Sequence, residues 1–412
     1  MNYFPAQNQN GAPPKRPALP LASVRVVEMG QLIAGPFAGK TLGDFGAEVI
    51  KIEPPIDGDP LRQWRLLKEG TSLWWQVQSR NKQSLALDVR TARGQEIARR
   101  LIGECDVLIE NFRPGTMEKW GLGWDDLRAV NPGLIMLRIS GYGQTGPYRD
   151  RPSFGSIGEA MGGLRHLTGE PGQIPVRCGI SIGDTLAALH GTIGVLLALH
   201  HRKVNHGAGQ VIDVALHESV FNVMESMLTE FSACGEVRPP TGSTLPGIAP
   251  SNAYRCHDGV VLIAGNGDAI FVRLMNVIAR ADLGQRPDLA SNQGRVKAVE
   301  EIDRAIGDWT KPRTVAEVLQ CMDTAGVPAG KIYDIEDIAQ DPHYQARDMI
   351  LKQRTRQGFE VEVPGVVPKL LSTPGGIRSP APLLGEHTKA ILDRLGFSED
   401  QQAELKAQGI IA

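Results

Sequence analysis

The sequence predicts an α/β protein with a large Rossmann-like domain built on a parallel sheet and a smaller α+β domain after it. Three observations carry that expectation. From Ser23 onward, short β-branched runs alternate with helical patterns, the signature of β-α-β units. The 412 residues exceed the roughly 250–300 at which a single hydrophobic core stops growing. A stretch dense in Pro, Gly, Ser and Thr at residues 239–247 separates two differently patterned regions.

In chain order, residues 1–20 are rich in Asn, Gln, Pro and Ala around Lys15 and Arg16 and lack the apolar run of a secretory signal; they read as a flexible tail. Residues 24–28 and 48–52 read as strands flanking a helical pattern at 36–45. Next come a strand at 84–89, a helix at 91–102 opened by Thr91 as its cap, and strands at 106–111 and 134–139. A strand at 210–215 leads into helical sequence up to Phe231. Residues 252–265 alternate like a hairpin, and 271–325 read mostly helical. The expected division is a large domain over 21–225, a linker with a glycine-containing loop over 226–248, a small domain over 249–330, and a segment over 331–412 that returns to the large domain. Ligands of a doubly wound sheet sit beyond the carboxyl ends of its strands.

Composition narrows the function. With 22 % charged residues and a formal net charge of −2, no global field favours nucleic acid, and an anion site has to be local. The five cysteines, Cys105, Cys178, Cys234, Cys256 and Cys321, never fall at C-x-x-C spacing, so neither a disulfide framework nor a zinc site is indicated and a cytoplasmic, reducing compartment is expected. The apolar stretch at 185–199, interrupted by His190, is shorter than a membrane span and reads as a core helix. No bound metal, tightly bound cofactor, membrane or nucleic acid is expected.

Gly141-Tyr142-Gly143-Gln144-Thr145-Gly146 follows a strand and matches G-x-G-x-x-G. A dinucleotide site needs its last glycine to open a helix, and Pro147-Tyr148-Arg149-Asp150-Arg151-Pro152 is turn chemistry. A nicotinamide enzyme is therefore rejected.

Other segments tell more: Gln31-Leu32-Ile33-Ala34-Gly35-Pro36, the run from Leu42 to Glu53, Asn81-Lys82, Glu110-Asn111-Phe112-Arg113-Pro114-Gly115, Ser140-Gly141-Tyr142-Gly143, Gly183-Asp184, Gly326-Val327-Pro328-Ala329-Gly330 and Pro382-Leu383-Leu384-Gly385-Glu386-His387-Thr388. In this order, from about Leu21 to about Gly396, the chain resembles CoA-transferase family III, also called the CaiB/BaiF family. The resemblance implies that family's fold, an interlocked homodimer, coenzyme A as substrate and product, and Asp184 as covalent nucleophile. From the residues alone Asp184 reads as a cap ahead of the apolar helix; the two roles are compatible, because a helix N-terminus favours a carboxylate.

By motif position the resemblance places Ile33, Ala34, Lys82, Asn111, Phe112, Arg113 and Lys119 near coenzyme A, together with Gly141 and Tyr142. Ile33 stands where formyl-CoA transferases keep a Gln, which argues against formate and oxalate; Lys119 replaces an Arg, and Pro54 follows Glu53 where a basic residue can occur. Gly143 and the loop at 242–247, with Gly247, are candidate approaches of the main chain to a reacting carbonyl. Arg62, Arg80, Arg165 and Arg177 read as solvated charges, with Arg177 the one placed to hold a distal carboxylate. The expected reaction moves CoA from succinyl-CoA to a dicarboxylate such as glutarate, malate, citramalate or itaconate. A 2-methylacyl-CoA racemase is the alternative of the same fold, but Phe154 stands where its acid/base His is expected; a non-catalytic CoA-binding protein is a third reading.

Overall fold

The computed structural model describes residues 18–412, so the tail expected at the N-terminus lies, up to Pro17, outside the described residues. The chain runs through β1 (Arg25–Glu28), α1 (Ala34–Asp44), β2 (Glu48–Glu53), the short hairpin β3 (Leu67–Lys68) and β4 (Thr71–Ser72), α2 (Leu73–Gln78) and β5 (Lys82–Ala86). It continues with α3 (Ala92–Gly103), β6 (Val107–Glu110), α4 (Thr116–Lys119), α5 (Trp124–Val130), β7 (Ile135–Ser140), α6 (Gly155–Met161), α7 (Leu164–Leu167), α8 (Ile182–Asn205), β8 (Val211–Ala215) and α9 (Leu216–Phe221).

Six strands pair in parallel in the order β5-β2-β1-β6-β7-β8. Counted along the chain that order is 3-2-1-4-5-6, the doubly wound arrangement the sequence predicts. Successive strand residues point to opposite faces, and the sequence uses both. Val26, Val49, Val107, Ile135 and Leu137 face a core that includes Ala34, Ala38 and Leu42 of α1 and Ala187, Ala188 and Val195 of α8. Val27, Ile50, Leu108 and Met136 face a second core with Ile97 and Leu101 of α3, Leu127 of α5, and Ile391, Leu392 and Leu405 from the helices Thr388–Arg394 and Glu399–Ala407. Strands buried on both faces need continuous apolar runs.

Two compact units emerge. The first consists of residues 18–162, Ser181–Val223 and Asp348–Ala412; the second consists of Gly163–Ile180 and Met224–Arg347. Cuts placed at the breakers of the sequence cannot express this, because each unit is assembled from separated segments. The first unit also contains a hairpin of β12 (Ile350–Arg354) and β13 (Glu360–Pro364), antiparallel in register. The second has a three-stranded antiparallel sheet, order β11-β10-β9, from β9 (Ser251–Arg255), β10 (Val260–Ala264) and β11 (Ala329–Lys331). Its core joins Tyr254, Val261 and Ile263 to Phe271, Ile302, Ile306 and Val318 of the helices that follow.

Helix α8 is 24 residues long and, by length and composition, apolar enough to cross a membrane. It extends the predicted core helix in both directions. One face packs on the sheet, but Leu189, Ile193, Leu196 and Leu197 are 41–64 % exposed within one chain, so it is a core helix on one side only.

Candidate active site

The strand order reverses between β1 and β6, and the crevice beyond their carboxyl ends is where a ligand of such a sheet binds. Here the chain after β1 and the chain after β6 are tied together by one side chain. Asn111 Oδ1 accepts from the Gln31 N–H at 2.7 Å, and Asn111 Nδ2 donates to the Gln31 carbonyl at 2.9 Å. Its amide is thus committed to the scaffold at both ends. Gly30 lacks a side chain because a Cβ there would sit 3.0 Å from the Gly35 Cα and 3.1 Å from Asn111 Oδ1.

Beside this knot lies a cavity of about 230 Å³. Its apolar wall is Met29, Ile52, Leu87, Val89, Phe112 and Trp120, and Gln31, Glu53, Asp88 and Arg90 supply the polar rim. The Phe112 and Trp120 rings meet edge to face, 5.1 Å apart at 78°. Arg113 and Lys119, which neighbour the two rings in sequence, are exposed. Arg90 is held bidentately by Asp88 at 2.8 and 2.9 Å. Three cations and an apolar slot at the carboxyl edge of a parallel sheet suit a ligand that is aromatic at one place and anionic at another.

Ile33 and Ala34 form the N-terminal entry to α1 and are 7 % and 2 % exposed. What fixes this loop is a buried cluster beneath it. Lys51 Nζ lies 2.9 Å from Glu28 Oε1 and 2.8 Å from Asp59 Oδ2, and donates to the Gly30 carbonyl at 2.7 Å. Asp59 accepts the Leu32 and Leu61 N–H groups at 3.1 and 2.8 Å. Leu32, with φ +63°, holds a left-handed conformation that a branched residue adopts only under constraint.

Lys82 belongs to this cluster and not to a rim. Its Nζ sits 2.7 Å from Glu28 Oε2 and donates to the Pro36 carbonyl at 2.8 Å, with 1 % of the residue exposed. The motif position therefore gives Lys82 a supporting place under α1, and the exposed cation beside the cavity is Arg90. Burial pushes both ammonium groups toward neutrality: at Lys51 the Asp59 and Glu28 carboxylates outweigh it, whereas Lys82 is held down to about 8. Two further expectations are corrected. Arg62 pairs with both oxygens of the buried Glu53 at 2.8 Å and stacks 3.8 Å over Trp75. Arg80, 1 % exposed, pairs with Asp44 at 3.0 and 2.7 Å.

Asp184 lies in the first turn of α8, whose cap is Ser181. The sequence predicts a helix from Thr185 with Asp184 as its cap; the helix starts three residues earlier and takes Asp184 inside. The carboxylate is packed directly on the backbone of α6: a Cβ on Gly155 would lie 1.9 Å from its Oδ2. A Cβ on Gly183 would lie 2.9 Å from the Gly155 carbonyl. Glycine at 155 leaves room for the carboxylate, and glycine at 183 lets α8 approach the α6 backbone. Phe154, the N-cap of α6, is 69 % exposed.

The Gly141–Gly143 turn is held by two residues that the sequence did not single out. His217 Nδ1 bonds the Gly141 carbonyl at 3.1 Å, and its ring lies 5.8 Å from that of Tyr142. Asp213 accepts the Gln144 N–H at 2.9 Å. Gly143 has φ +85°, where a side chain would be strained. Gly141 faces Ser153, whose Cβ would be 2.2 Å from a Cβ there.

Arg177 and the loop at 242–247 belong to the second unit. Arg177 is exposed and donates to the Ile180 carbonyl at 3.4 Å. Gly247, with φ +74°, gives its carbonyl to Asn292 Nδ2 at 2.7 Å. The Gly242 N–H bonds the Gly169 carbonyl at 3.0 Å, and a cavity of about 620 Å³ lies between the two loops.

Comparison with known proteins agrees with this fold. The profile of CoA-transferase family III matches residues 21–388. The succinyl-CoA–D-citramalate CoA-transferase of Chloroflexus aurantiacus is 48 % identical over 96 % of this chain and 99 % of its own. The succinyl-CoA–L-malate CoA-transferase beta subunit of the same organism is 42 % identical over 95 % and 98 %. The crystal structure of a CaiB/BaiF family protein from Brucella suis superposes with a TM-score of 0.82 at 34 % identity, covering 92 % of this chain and all of that one. A doubly wound sheet of this strand order, and matches to the family profile, to full-length relatives and to a solved member along nearly the whole chain, place this protein in CoA-transferase family III.

Proposed function

We propose that this CoA-transferase moves CoA from succinyl-CoA to a dicarboxylic acid of the malate or citramalate type, with Asp184 as nucleophile. The single observation that carries the reading is the pairing of full-length likeness to enzymes named for these substrates with a carboxylate set in the first turn of a long helix. The N-terminal end of the helix dipole favours the anion that attack requires.

In the proposed sequence, an Asp184 oxygen adds to the thioester carbonyl and the C–S bond breaks, giving a mixed anhydride and CoA thiolate. The thiolate attacks the aspartyl carbonyl, releases succinate and leaves an aspartyl-CoA thioester. The acceptor carboxylate attacks that carbonyl and expels the thiolate, which then takes the acceptor acyl group and frees Asp184. Every step trades one acyl–heteroatom bond for another, so no redox partner or metal is called for. Coenzyme A would lie with its aromatic end in the Phe112–Trp120 slot and its phosphates toward Arg90, Arg113 and Lys119.

The working form would be a homodimer in the cytoplasm. The exposed stripe Leu189, Ile193, Leu196 and Leu197 on α8 recurs at helical spacing and supports a covered face.

The test incubates the protein in deuterated water with succinyl-CoA and a panel of dicarboxylic acids, alongside a 2-methylacyl-CoA, and follows all CoA esters by mass spectrometry. New acyl-CoA without α-deuterium is expected, together with a CoA adduct on the wild-type protein that Asp184→Ala lacks. Use of no dicarboxylate, or α-deuteration without transfer, overturns the reading.

A further inference from the structure

Helix α4 has only four residues, opens on Gly115 at φ +86°, and has no side-chain cap. A helix that short has no stability of its own, yet it carries Lys119 and leads directly into Trp120. The position of the Trp120 ring therefore has to be set from outside the helix.

The sheet supplies that support through one buried guanidinium. Arg138 of β7, 6 % exposed, grips Glu118 of α4 with Nη1 at 2.7 Å and Nη2 at 3.2 Å from its two oxygens. Its Nε lies 2.6 Å from Oε1 of Glu110, the last residue of β6, which is 1 % exposed. The other Glu110 oxygen accepts the Phe112 N–H at 2.8 Å. One guanidinium thus links two carboxylates, each of which controls one of the two rings in the cavity wall. A buried ion pair is a poor source of stability compared with apolar packing of the same volume. Glu118, with 46 % of its side chain exposed, adds little stability at its end of the chain. The arrangement makes sense as geometry.

We infer that Arg138 is a positioning residue: the Glu110–Arg138–Glu118 clamp sets the Phe112–Trp120 wall and thereby the affinity for the CoA portion of the thioester. The inference rests on the proposed reading that this cavity receives coenzyme A.

Calorimetric titration with coenzyme A, together with steady-state kinetics, tests it. The proteins compared are the wild type, Glu118→Ala, Glu118→Gln, Arg138→Lys and, as a control on the same unit, Arg93→Ala. Glu118→Ala removes the half-exposed end of the clamp and weakens CoA about three- to fivefold. The KM for the acyl-CoA rises to match, while kcat and the KM for the acceptor acid stay within about twofold. Glu118→Gln, which keeps an acceptor, falls between. Arg138→Lys, a point charge that cannot span both carboxylates, weakens CoA at least as much as Glu118→Ala; if it does not fold, the Glu118 variants carry the test. Arg93→Ala binds like the wild type. Unchanged CoA affinity in a folded Glu118→Ala protein overturns the clamp, as does an equal loss in kcat and in both KM values. Failure of the wild type to bind CoA overturns the reading of the cavity, and the clamp's function with it.

Discussion

Gly155→Ala isolates the placement of Asp184 from its chemistry. The added Cβ would lie 1.9 Å from Oδ2 and 2.7 Å from Cγ of Asp184. Side-chain carbons do not rest within about 3 Å of another heavy atom, so the carboxylate has to retreat by about 1 Å or more, and a 1 Å misplacement of a reacting group costs on the order of 10²-fold in rate. Gly155 opens α6, so the stability change is set mainly by an overpacking cost of about 1–3 kcal/mol. The assay is the initial rate of transfer from succinyl-CoA, with circular dichroism and thermal unfolding on the same samples. Gly158→Ala serves as the packing control: its Cβ would strike Leu216 Cβ at 2.7 Å, away from the carboxylate, and it should lose more stability than kcat. A folded Gly155→Ala protein that keeps more than half of the wild-type kcat would refute the reasoning, because the carboxylate would then have no need of the place it occupies.

Three further expectations follow from the described contacts. Asp59→Ala removes the anion that Lys51 and the Leu32 N–H share and should destabilise the fold by about 3–5 kcal/mol in urea unfolding; a loss below about 1 kcal/mol would contradict the buried cluster. Burial raises the Glu110 carboxyl to about 7, above its value in the unfolded chain, so its contribution is fully present below about pH 4.5 and is lost as pH rises through 7. The melting temperature of the wild type should accordingly fall relative to that of Glu110→Gln between pH 5 and pH 8, and a pH-independent difference would count against it. Leu197→Lys places a charge on the exposed α8 stripe and should shift the proposed dimer to monomer in light scattering, with the fold intact; an unchanged mass would remove α8 from the interface.

The sheet was legible because its strands are apolar on both faces, a pattern that survives without knowledge of partners. The helix over residues 91–102 was readable for a similar reason: Thr91 does cap it, accepting from the Gly94 N–H. The start of α8 was not, since Ile182 and Gly183 offer no helical periodicity and enter the helix only because the first turn packs on α6. Motif position fixed where Lys82 lies in the chain but not its direction, and strand alternation turns it inward to Glu28. Arg90 could have been found, because it stands just past a readable strand at the carboxyl edge of the sheet. Nothing local in the sequence marks His217 and Asp213, which reach the Gly141–Gly143 turn from 76 and 69 positions away.

The first unit is closed by its most distant segment. Ile391, Leu392, Leu405, Ile410 and Ile411 sit in the same core as Val27 of the first strand, and the Asp88 N–H bonds the Ile410 carbonyl at 2.8 Å. All six strands are made by Ala215, so during synthesis the nascent chain displays a sheet lacking part of the cover on one flank while the whole of Met224–Arg347 is still being translated. The second unit, whose core draws on residues between Tyr254 and Val327, can mature first. A ribosome that stalls within residues 350–390 would leave part of the sheet's apolar flank bare beside α3 and α5, and such nascent chains should be the ones that chaperones retain.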